Sequence, residues 1–167
     1  DAGAGTGNVV FNTGSSITTG GGSVVINAGQ GAADTGNVTM GAVNTGSGSL
    51  TVNAEGLVTV NADLTATGSG TISLNGDGIT VNNPATVSTN TGLLSLDAGT
   101  GALTLVDINS GGAQRFGLLQ TTDAAISITA DSVDIGAVDN TNSDQIVAGG
   151  GNNITIANSS ATRVISL

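Results

Sequence analysis

The stretch from Gly48 to Thr91 is one unit written twice, and nothing else in the chain limits its fold as tightly. G-S-L-T-V-N-A-E-G-L-V-T-V-N-A-D-L-T-A-T-G-S (48–69) is followed by G-T-I-S-L-N-G-D-G-I-T-V-N-N-P-A-T-V-S-T-N-T (70–91), and a third copy begins at Gly92. Leu50, Ile72 and Leu94 stand 22 residues apart, as do Val52, Leu74 and Leu96, and the polar set Asn53, Asn75 and Asp97. Self-similarity at a fixed period of this size is the mark of a solenoid.

Within each unit, apolar residues alternate with Thr or Ser in short runs (L-T-V, V-T-V, I-S-L, I-T-V, L-S-L, L-T-L). That two-residue period belongs to strands with one buried face, and no run has helical spacing. Two such strands per unit, with a third around Leu64, Val87 and Ile108, are separated by Gly, Asn and Asp, residues that accept positive φ at corners. The expected fold is all-β, a right-handed parallel β-helix with about 22 residues and three short strands per coil. Its coils should stack at about 4.8 Å, each strand bonding to its counterparts above and below.

A chain of 167 residues makes one such domain, a single β-helix segment over 1–167, with a narrow core that lengthens by stacking. Gly is 28 of 167, which would point to disorder if it were scattered; its fixed phase at Gly48, Gly70 and Gly92 points instead to corner geometry. The net charge is −10, from twelve acids against Arg115 and Arg163, with no Lys and no His. Such a surface offers neither phosphate neutralisation nor polybasic attraction, so nucleic acid and anionic membrane are poor partners. Zero cysteines exclude disulfides and thiolate metal sites. No apolar run approaches the roughly 20 residues of a membrane helix, and the opening D-A-G-A-G-T-G has no signal-peptide pattern. The chain is thus expected to be mature or excised from a longer one, without membrane insertion.

Taken in order, N-V-V-F-N (8–12) matches N-V-T-M-G (37–41), which makes Val9 and Phe11 second-face residues; Ile17 then falls on the third face, and Val24 with Ile26 opens the first full coil. Loop insertions are expected near 109–123 and 137–151, because the first-face strands at 126–128 and 154–156 arrive late in the period. The last residues, I-S-L (165–167), break off in mid-phase, which predicts open ends and axial neighbours of the same β-helix, from the same chain or further copies.

Asn27, Asn53, Asn75 and Asp97 end the first strand in successive coils and are expected to form a structural ladder of stacked side chains; Asn61 and Asn82 repeat the idea at the second corner. The outward row Thr51, Ser73, Ser95, Ser127 and Thr155 could order water as an ice-binding face, but such a face wants two outward Thr per strand, so a solvated sheet face is the preferred reading. Asp139, Asn140, Asn142 and Asp144 offer the oxygen ligands that Ca²⁺ takes, without EF-hand spacing; polar turns use the same residues, and no cofactor is expected. Without His, Cys or Lys, the usual nucleophile and base pairs cannot be assembled, which leaves Asp131 and Asp134 as a carboxylate pair that more simply solvates strand ends. Arg115 and Phe116 are the candidate contact surface, since an Arg-aromatic pair is the composition of an interface anchor; the competing reading buries Phe116, Leu118 and Leu119 as a third-face strand or a lid on the core.

The motif G-x-[L/I]-[S/T]-[V/L]-[N/D]-[A/G], at 48–54, 70–76, 92–98 and loosely at 22–28, resembles the repeat region of large bacterial exoproteins, the filamentous-haemagglutinin-like adhesins and β-helical autotransporter passengers. The resemblance covers about 22–108 and implies an extracellular or bacterial cell-surface stalk, not an enzyme, that could meet a host or matrix surface. A self-assembling subunit of an extracellular filament is the alternative, and a polysaccharide-active β-helix a distant third.

Overall fold

In the computed structural model, which describes residues 7–29, 35–110, 113–135 and 146–160, the chain winds as a parallel β-helix. The first-face sheet stacks β3 (Val24–Ala28), β6 (Leu50–Ala54), β9 (Ile72–Asn75), β12 (Leu94–Asp97), β17 (Ile126–Ala130) and β20 (Ile154–Asn158). The second-face sheet stacks β1 (Val9–Val10), β4 (Val38–Met40), β7 (Val58–Val60), β10 (Ile79–Val81), β13 (Ala102–Leu105) and β18 (Ser132–Ile135). β2 (Ser16–Thr18), β5 (Ala42–Asn44), β8 (Leu64–Ala66), β11 (Thr86–Thr89), β16 (Leu118–Thr121) and β19 (Ile146–Ala148) make the third. Every pairing within these sheets is parallel, as a coil that always turns the same way requires.

Register follows the repeat. Leu50 pairs with Ile72 and Ile72 with Leu94, so aliphatic side chains of one phase pile into columns along the axis. Leu50, Ile72, Leu94 and Ile126 form one column, Leu74 and Leu96 lie in the next, and all six are essentially sealed from solvent. The second face contributes Val58, Ile79 and Leu103, the third Leu64, Val87 and Leu119. Burying each such side chain stabilises the fold by about 1.5–3 kcal/mol. Val9, Phe11, Ile17, Val24 and Ile26 occupy the faces expected of them.

Three expectations need correction. Ile108 is not the third-face residue of its coil: Leu119 pairs with Val87, and Ile108 lies in β14 (Asp107–Ser110), which pairs antiparallel with β15 (Ala113–Phe116). The insertion is therefore a hairpin that begins at Asp107, two residues before the expected 109, and the third-face strand follows it at 118–121. Counting along the period shows about ten surplus residues in this coil but not where they lie, because an antiparallel excursion can leave the coil on either side of the third-face strand. The segment 137–151 is likewise not all loop, since Ile146 pairs with Leu119 and carries the third face up one more coil.

The fixed-phase glycines also have a different cause from the one expected. Positive φ falls on the residues two earlier, Gly46 and Gly68, rather than on Gly48 and Gly70. What constrains Gly48, Gly70 and Gly92 is contact between coils: an added Cβ would lie 2.4 Å from Gly22 O, 2.1 Å from Gly48 O and 2.0 Å from Gly70 O. Each coil rests its backbone on the glycine of the coil below.

Candidate functional site

The corners carry the most organised polar chemistry of the described residues. At the first corner Asn53 Nδ2 donates to Asn27 Oδ1 at 2.9 Å, and Asn75 Nδ2 donates to Asn53 Oδ1 at 2.9 Å. Asn75 Nδ2 also reaches Val52 O at 3.3 Å. The ladder runs in one direction, with each amide donating down the axis and accepting from above. Continuing it would require residue 97 to donate to Asn75 Oδ1. Asp97 shares the register of Asn75 but does not join: an ionised carboxylate has no proton to give. Its Oδ1 accepts instead from Gly99 N at 3.0 Å, closing its own turn. The ladder is therefore Asn27, Asn53 and Asn75, and the expectation that Asp97 extends it is corrected.

The second corner has a shorter version, Asn82 Nδ2 donating to Asn61 Oδ1 at 2.7 Å. A further set of side chains caps the backbone of the next coil up. Asn8 Oδ1 accepts from Asn37 N, Asn37 Oδ1 from Leu57 N, Ser49 Oγ from Thr71 N and Asp63 Oδ1 from Thr86 N. These bonds satisfy amides that the corners leave outside the sheet ladder.

Sequence reasoning missed the third corner. Thr45, Thr89 and Thr121 are buried, and the hydroxyl of each donates to the carbonyl three residues on, at Gly48, Gly92 and Ala124; Thr19 does the same to Gly22. The motif T-x-x-G at 19–22, 45–48 and 89–92 was the available signal. It occurs at 67–70 as well, but there Thr67 is exposed and Ala66 fills the inward place.

Outside the corners, the row Thr51, Ser73, Ser95, Ser127 and Thr155 is in register along the first face. A more uniform row stands on the second face, where Thr39, Thr59, Thr80 and Thr104 align on successive strands. It is one threonine wide on each strand.

The paired acids separate. Asp131 is buried at a corner, where its Oδ1 accepts from Ser159 Oγ at 2.6 Å, and so does not merely solvate a strand end as expected; Asp134 is exposed on β18 beside Thr104. Arg115 and Phe116 belong to β15, opposite Ile108 and Asp107. Their side chains lie outside the described residues, as do Asp139, Asn140, Asn142 and Asp144. Among the described residues no group of three or more His, Cys, Asp or Glu is placed to hold a metal ion. Among the described residues there is no helix long and apolar enough to cross a membrane.

Fold and corners together define a parallel β-helix solenoid whose coils are tied by side-chain ladders parallel to the axis. Compared with protein-family models, curated proteins and solved structures, the chain matches none.

The ladder makes a directional prediction. Asn53→Ala removes a donor and an acceptor from its middle rung and should cost about 1–3 kcal/mol in chemical denaturation, whereas Asp97→Asn supplies the missing donor and should gain about 1 kcal/mol. A destabilised Asp97→Asn chain would mean that the Gly99 turn matters more than a fourth rung.

Proposed function

We propose that this chain is a structural element of the bacterial cell exterior, a rod-like stalk segment of a surface adhesin of the filamentous-haemagglutinin or autotransporter kind. The observation that carries this reading is the unbroken axial register. Three sheets of six strands run side by side, and the corners add side-chain bonds in the same direction. Such a stack transmits position along its axis, because bending it would stretch one sheet and compress the others. Its neighbours along the axis would be further coils, each adding about 4.8 Å. A surface of net charge −10, with outward threonine and serine rows, suits a rod exposed to water.

A filament subunit stacking end to end is the second reading, and one observation favours it. Among the described residues, the outermost strands of each sheet, β1, β2 and β3 on one side and β18, β19 and β20 on the other, have a sheet partner on one edge. A parallel edge of this kind accepts another strand in the same register. Immunogold electron microscopy of intact source cells, with an antibody raised against the chain, tests both readings. Gold at a set distance from the cell supports the stalk, gold repeating at short intervals along a fibre supports the filament, and cells labelled only after lysis overturn both.

A further inference from the structure

The ladder's top amide sits in a dipeptide with chemistry of its own. Asn75–Gly76 is the one Asn-Gly pair among the 167 residues. In such a pair the backbone nitrogen of glycine can attack the Asn Cγ, because no side chain on the glycine shields it. A bond forms between Gly76 N and Asn75 Cγ, the bond from Cγ to Nδ2 breaks, and ammonia leaves with the proton of the glycine N–H. Water then opens the cyclic imide at either carbonyl, leaving aspartate or isoaspartate. The balance is one amide and one water in, one acid and one ammonia out.

The fold blocks both partners of this reaction. Asn75 Nδ2, the leaving group, is held by Asn53 Oδ1 at 2.9 Å and Val52 O at 3.3 Å. Gly76 N, the attacking group, donates its hydrogen to Asp97 O at 2.9 Å in the coil above, so the proton it must lose before it attacks Cγ is engaged. Asn75 is also the last residue of an extended strand, a conformation that carries the next nitrogen away from its own side chain.

We propose that Asn75–Gly76 is a latent self-modification site, held shut by the ladder while the coil is closed and converted to aspartate or isoaspartate when the coil opens. The product cannot return to the ladder. An aspartate at 75 has no donor for Asn53 Oδ1, the same defect that ends the ladder at Asp97. Its new carboxylate would share a surface depression with Glu55, Asp77 and Asp97, adding repulsion. An isoaspartate would also lengthen the backbone between β9 and β10 and disturb the stacking of Gly76 on Gly56 O, where an added Cβ already has only 2.8 Å. Conversion therefore marks a coil that has opened and keeps it from closing as before.

Tandem mass spectrometry of the chain incubated at mildly alkaline pH, folded or in urea, reads conversion at Asn75 directly. The expected result is conversion at Asn75 ahead of every other asparagine in urea, and slowed by more than about tenfold in the folded chain, where local opening must come first. Asn53→Ala should speed conversion several-fold in the folded chain and leave the rate in urea unchanged, while Asn27→Ala, one rung further away, should leave both near the parent values. Equal rates at Asn75 with and without urea overturn the proposal, and so does a folded Asn53→Ala chain that converts no faster than the parent. Should Asn53→Ala not fold, the comparison of the parent chain with and without urea decides.

Discussion

Leu74→Asp is expected to abolish cooperative folding, while Ser73→Asp, one residue away, should leave the melting temperature almost unchanged. Leu74 is fully buried in the middle of the first-face sheet, with Val52 below it and Leu96 above. Cutting a buried leucine back to a small side chain alone costs about 2–5 kcal/mol. Placing a carboxylate in that column adds the penalty of an unpaired buried charge. The sum matches or exceeds the stability of a typical domain, about 5–15 kcal/mol, so the loss should be of the whole fold and not of one coil. Ser73 faces outward between Thr51 and Ser95, and a substitution there should fall within about 0.5 kcal/mol. Thermal melts followed by circular dichroism settle the comparison; equal losses would mean a register slipped by one residue, which would exchange the two faces.

The second large effect concerns the glycine column. Gly70→Ala is expected to cost about 3 kcal/mol, because its methyl would meet the backbone oxygen of Gly48 at 2.1 Å and no side chain can swing away to relieve it. Relief requires the coils to part at that corner, against the sheet ladders on either side. The place above Gly92 in the column is Ala124, where the corner does make room for a methyl; that coil follows the hairpin of β14 and β15. Gly70 has glycine both below and above it. Gly20→Ala provides the contrast, since nothing lies within 4 Å of its added Cβ and its φ lies outside the left-handed region. That change should be neutral or stabilise by about 0.4–1 kcal/mol, through loss of freedom in the unfolded chain. Urea denaturation of the two variants measures the gap, and a Gly70→Ala chain as stable as Gly20→Ala would show that the corner can open without cost.

Alternation and period by themselves determined the solenoid, the three faces and the inward set at Leu50, Val52, Ile72, Leu74, Leu94 and Leu96. The reason is local: in a strand the side-chain direction follows from position parity, and in a stacked coil the neighbour follows from the repeat length. The amide ladder of Asn27, Asn53 and Asn75 was legible for the same reason. Tertiary structure decided what depends on contact and direction. It ended the ladder at Asp97, because stacking asks which residue donates, and the repeat cannot distinguish a donor from an acceptor in the same phase. It turned Thr45 and Thr89 inward but left Thr67 outside, although all three begin a T-x-x-G, because only the coil geometry shows that Ala66 has taken the inward place. It moved the third face from Ile108 to Leu119 by spending Asp107–Phe116 on a hairpin, a surplus whose length the period showed but whose position and pairing it could not. And it replaced a torsional reason for Gly48, Gly70 and Gly92 with a steric one, the carbonyl of the coil beneath, which exists only once the coils are stacked.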